Sequence, residues 1–137
     1  MQKAILESFP NAEITASIVW IEMLPGDNLA AAQKMADTVH DTRVRHYYDP
    51  RATRLAGHAF SRGLLNDGAG PAWDIYLFYD REAEWKDDPP KPFDWMHQLS
   101  GTARADPRRL HTGDDLIEQL RQSMERATGL KPGPKAE

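Results

Sequence analysis

The chain has 137 residues, of which 40% are hydrophobic and 28% charged. That is enough apolar material for one core and too much for a disordered protein. A formal net charge of −4 and a pI near 5.7, with Lys and Arg dispersed, leave no basic patch for DNA or RNA. Cysteine is absent, which excludes disulfides, thiolate metal sites, iron–sulfur clusters and a cysteine nucleophile. The apolar run 18–21 is too short to span a bilayer, and the opening residues lack an apolar signal core. A cytoplasmic protein without a membrane partner is the expectation.

Residues 14–24 are β-branched and apolar up to Pro25-Gly26 and predict a buried strand. Asp27 is placed to cap a helix that runs to about His40, with Leu29, Ala32, Ala36 and Val39 on one apolar face. Alternation predicts a second strand over 43–48. Asp49-Pro50 then reads as N-cap and first residue of a second helix, because proline lacks the donor that a first turn leaves unpaired.

The breaker cluster 66–71 ends that helix and precedes a third strand over 72–79. Trp73, Ile75, Leu77 and Tyr79 share one face of it and Tyr76 and Phe78 the other, the pattern of a central strand. The charged, proline-rich stretch 80–92 is a loop, anchored or lined by Trp85 and Trp95. A fourth strand over 93–99 turns at Ser100-Gly101. Thr112 and Asp115 form a capping box for a last helix with Leu116, Ile117, Leu120 and Met124 on its buried stripe and Gly129 at its end. Residues 1–13 read as an extension, 14–129 as a single domain and 130–137 as a flexible tail. With right-handed crossovers, the first three strands become parallel neighbours in a mixed α/β sheet flanked by helices.

The segment 19–27, Val-Trp-Ile-Glu-Met-Leu-Pro-Gly-Asp, resembles the active-site segment of the thioredoxin-like superfamily, and Gly70-Pro71 before strand 72–79 is similar to that family's proline loop. Leu24 and Asp27 stand where the two cysteines would be. The resemblance implies a thioredoxin-like fold over about residues 14–127, a cis bond before Pro71 and a groove for extended peptides. It does not carry the family's chemistry, because thiol–disulfide exchange requires a thiolate. What it leaves is a binding or adaptor domain for a protein or peptide, with Trp20, Leu24, Asp27, Pro71 and Trp73 as groove residues and no cofactor.

Two other functions compete with that reading. Glu22, inside the apolar strand, matches the buried acidic residue of the family; it or Asp27 would act as a base with His58 or His97 in an enzyme of non-thiol chemistry. Asp27 reads first as a plain N-cap, and Glu22 equally as a residue pointing to solvent. The five histidines, His40, His46, His58, His97 and His111, show no metal-ligand spacing, so a metal- or small-molecule-binding protein would need tertiary assembly of its site. No serine lies in a nucleophile elbow, and Gly68-Ala69-Gly70 precedes a strand where a phosphate loop would follow one.

Overall fold

β-Branched and aromatic side chains favour an extended backbone after residue 15, and Ala16–Ile21 forms β1 in the computed structural model, which describes residues 2–99 and 104–133. Helix α1, Leu29–Ala36, leads to β2, Val44–Asp49, which pairs parallel with β1 from Ala16 opposite Val44 to Ile21 opposite Asp49. Helix α2 is Leu55–Ser61. Strands β3, Ile75–Phe78, and β4, Asp94–His97, pair antiparallel. A 3₁₀ turn, Pro107–Arg109, and the long helix α3, Gly113–Thr128, follow. The element order and the α/β class agree with the sequence reading.

The sheet does not. In place of three parallel neighbours there are two separate two-stranded sheets, β1–β2 and β3–β4. β3 is bounded by Asp74, whose φ of 51° breaks the extended run, and its hydrogen bonding is completed by the segment around β4: Phe93 N–H donates to Phe78 O, and Gln98 N–H to Asp74 O, each at 2.9 Å. β3 is nonetheless apolar on both faces, as predicted. Tyr76 and Phe78 pack with Met96 against Leu116, Leu120 and Met124 of α3. Ile75, Leu77 and Trp73 pack with Trp95, Leu99 and Ala105.

The first of these clusters also takes Ile5, Phe9 and Ala12 from the segment read as an extension. Phe9 is 1% exposed. Arg121 Nε holds Ala4 O at 3.0 Å, and Arg43 reaches Leu6 O and Phe9 O at 2.9 and 2.7 Å. Residues 4–12 therefore contribute to the core rather than trail from it.

Each of the three α-helices departs from the prediction at its ends. Asn28, not Asp27, caps α1, its Oδ1 accepting from Ala31 N–H at 2.9 Å, and α1 stops at Ala36. α2 begins six residues after Asp49, behind Arg54 in the left-handed region at φ 44°. Thr112 does occupy the N-cap of α3 and Gly129, at φ 69°, its end, but no side-chain cap bond forms, and Asp115 turns to His111 Nδ1 at 2.6 Å. The Ser100-Gly101 turn and the end of the 130–137 tail lie outside the described residues. Within that tail, Gly133 N–H donates to Ser8 O at 2.8 Å. No described helix is long and apolar enough to cross a membrane.

Candidate functional site at the carboxyl end of the parallel pair

Ligands of α/β folds gather where parallel strands end at their carboxyl side, and four of the predicted site residues lie there. β1 leaves its ladder at Ile21 and the next residue, Glu22, becomes the centre of a polar cluster. Glu22 Oε2 accepts from the Arg51 amide at 2.6 Å and from the Tyr48 hydroxyl at 3.2 Å, with Arg51 Nε 3.9 Å from Oε1. Arg54 Nε donates to Glu22 O at 2.9 Å, and Arg51 Nη2 to Leu24 O at 2.7 Å. Burial, then the neighbouring Glu22 carboxylate, raises the Tyr48 phenol above its ordinary value.

Asp27 closes the turn between β1 and α1. Its Oδ2 accepts the amides of Leu24 and Met23 at 2.5 and 2.9 Å, and those two bonds, Leu24 first, lower its pKa. The carboxylate thus binds backward into residues 23–24, which is why Asn28 is left to cap the helix. Trp20 faces His46 across the strand pair: its Nε1–H donates to His46 Nδ1 at 3.1 Å, with the rings stacked at 14°. That bond fixes the His46 proton on Nε2.

Pro71 reaches this region through Gly57. A Cβ on Gly57 would lie 2.8 Å from Pro71 Cβ and 3.5 Å from Ile21 Cδ1, so the proline loop packs on α2 beside the end of β1. Pro71 is buried, and no cis peptide bond occurs among the described residues, so the cis bond implied by the resemblance is corrected to trans. Arg104 ties the loop down through Ala69 O and Pro71 O at 2.8 and 2.9 Å. Trp73 lies in the second core cluster under the Arg104 guanidinium.

The histidines named as acid–base partners sit elsewhere. His58 is exposed on α2. His97, 1% exposed, accepts Leu99 N–H on Nδ1 at 3.0 Å and donates Nε2–H to Asp106 O at 2.9 Å, so both ring nitrogens serve the backbone. Trp85 anchors its loop on Phe60 and Tyr79, with centroids at 5.9 and 5.0 Å. Sequence reasoning missed Tyr48, Arg51 and Arg54. Their position at the end of β2 or just after it, at the same end as Glu22, was the available signal.

The bonds of Glu22 and Asp27 stiffen a turn. What that turn presents outward is apolar: Leu24 is 54% exposed, and α1 behind it buries none of its residues, leaving Leu29 49% and Met35 50% exposed. No protein-family model, curated protein or solved structure matches the chain.

Proposed function

We propose that the chain is a non-catalytic binding domain that docks a protein or peptide on the β1–α1 turn and the outer face of α1. The observation that carries this reading is the exposure of Leu24, on a turn that Asp27 and Arg51 brace, together with that of Leu29 and Met35 on the helix that follows it. A turn whose backbone is already braced loses little entropy on binding, and exposed apolar side chains are where protein contacts form. Kinship with the thioredoxin-like superfamily belongs to the same proposal. It is supported by the strand–helix–strand–helix–strand–strand–helix order, by the parallel β1–β2 pair and by the approach of Pro71 to the end of β1. In this setting Leu24 and Asp27 take the place of a redox pair, and recognition remains where thiol chemistry is excluded.

The test is selection of a displayed peptide library on the purified protein, followed by calorimetry of the selected peptides. The expected result is saturable binding that falls about tenfold or more in Leu24→Asp and Leu29→Asp, with thermal midpoints unchanged because both side chains are exposed. Peptides that bind the variants as tightly as the parent protein would overturn the reading.

A further inference from the structure

A second cleft, of about 390 Å³, lies between β4, the 3₁₀ turn and α3, away from the turn discussed above. Asp94, Asp106, Arg108, Arg109, His111 and Arg126 line it. Asp94 is its anchor. Oδ1 accepts the Trp95 amide at 2.9 Å and Arg109 Nη1 at 3.2 Å, and Oδ2 accepts the Ser123 hydroxyl at 2.5 Å and Arg126 Nη2. Arg109 is fixed further by Trp95 O at 2.6 Å and by the Trp95 ring, 4.9 Å below its guanidinium carbon. Arg126 Nη2 also reaches Ser123 Oγ at 3.0 Å.

Two guanidinium groups are thus immobilised on one carboxylate. Their remaining donors, Nε and Nη2 of Arg109 and Nε and Nη1 of Arg126, meet no acceptor among the described residues. Arg108 is paired with Asp106 at 2.8 Å, and His111 Nδ1 lies 2.6 Å from the carboxylate of Asp115, which is outside the cleft lining. Three arginines thus face two carboxylates in the cleft lining, in a chain whose net charge is −4. Like charges facing each other across a single anion repel, and a second anion bridging them relieves that repulsion. The free Nε and Nη2 of Arg109 make one planar fork that matches the oxygens of a carboxylate or phosphate, Arg126 adds single donors, and groups already held in place lose little entropy on binding.

We propose that this cleft binds a small ligand through an oxyanion group, a carboxylate or a phosphate, held between Arg109 and Arg126. The cleft is larger than one such group and falls within the range of small-molecule sites, so the ligand carries a body beyond its anion.

Titration of the ¹⁵N-labelled protein with inorganic phosphate and, separately, with acetate in low-salt buffer tests this, since exposed charges are screened at high salt. The expected result is saturable shifts at the Trp95 indole and at the amides of residues 94–96, 108–111 and 126 with at least one of the two anions. The anion that saturates names the group. Arg126→Gln should weaken binding about tenfold or more, whereas Arg62→Gln, which removes an arginine outside this cleft, should leave it unchanged. Where Arg126→Gln impairs folding, Arg126→Lys decides, because it keeps the charge and loses the directed guanidinium donors. Shifts that rise linearly without saturation, binding equally weakened by Arg62→Gln, or full affinity in Arg126→Lys would each overturn the proposal.

Discussion

The carboxylate of Asp49, the last residue of β2, accepts the amide of Gly57 in α2 at 2.8 Å, eight residues along the chain. Asp49 is 5% exposed. One of the amides that the first turn of a helix leaves without an intrahelical partner is thereby satisfied from the preceding strand. Replacement by Ala strands a buried donor and should cost about 1–3 kcal/mol. Asp49→Asn keeps an acceptor oxygen and should recover most of that loss. Urea denaturation of both variants measures the difference, and equal losses would show that the acceptor is irrelevant.

Gly57 also sets how closely α2 meets the proline loop. A methyl group there would stand 2.8 Å from Pro71 Cβ and 3.3 Å from Ala72 O, and neither a proline ring nor a backbone carbonyl yields easily. Helix propensity favours Ala by about 1 kcal/mol, while overpacking costs about 1–3 kcal/mol. Gly57→Ala should therefore destabilise on balance, by about 1 kcal/mol, read as a lower urea midpoint at unchanged slope. A stabilised variant would mean that Pro71 moves away freely.

These two contacts explain what was and was not legible beforehand. Strands β1 to β4 and α3 were readable because alternation and the apolar stripe of Leu116, Leu120 and Met124 are local patterns. Asp49-Pro50 carries a helix-start signal, yet the carboxylate serves an amide eight residues away and the helix begins late. The division into two sheets was not readable, since the choice of β4 as partner for β3 is non-local. Ile5, Phe9 and Ala12 stand at the helical spacing i, i+4, i+7, but Pro10 interrupts the segment and masks that period, so their place in the core was hidden. The amphipathic pattern of α1 was visible, but a pattern does not say whether its apolar face is covered. Of the site, Glu22, Leu24 and Asp27 were named, while Tyr48, Arg51 and Arg54 come from the neighbouring strand and the loop after it, a juxtaposition that only the β1–β2 pairing creates.

Acid should weaken the fold through Asp41. The side-chain bond from Arg43, then its amide, lowers the Asp41 pKa to about 2. The carboxylate is thus more acidic folded than unfolded, where it has the ordinary value of about 3.9. Its contribution is fully present above that value and is lost as pH falls toward about 2. Asp27, Asp94 and Asp106 are lowered as well and titrate in the same direction. Stability measured from pH 5 downward should decline, and Asp41→Asn should flatten that decline without removing it. A profile for Asp41→Asn that runs parallel to the parent would discount the pair.

Arg43 does more than neutralise Asp41. Its Nε and Nη2 hold the carboxylate at 2.9 and 2.7 Å, while Nη1 and Nη2 donate to Phe9 O and Leu6 O at 2.7 and 2.9 Å. One planar group therefore fastens residues 6–9 to the start of β2, and with them the side chains of Leu6 and Phe9 in the core. Lysine keeps the charge but has neither the fork nor the reach to span both carbonyls and the carboxylate. Arg43→Lys should cost about 1.5–3 kcal/mol, the value of hydrogen bonds made by charged groups. It should also speed hydrogen exchange in residues 4–12 before the rest of the molecule opens. Arg62→Gln, which breaks an exposed pair with Asp88, should change stability by less than about 1 kcal/mol. If Arg43→Lys is as mild as Arg62→Gln, its carbonyl bonds contribute little, and burial of Ile5, Phe9 and Ala12, with the Arg121 bond to Ala4 O, holds the segment in place.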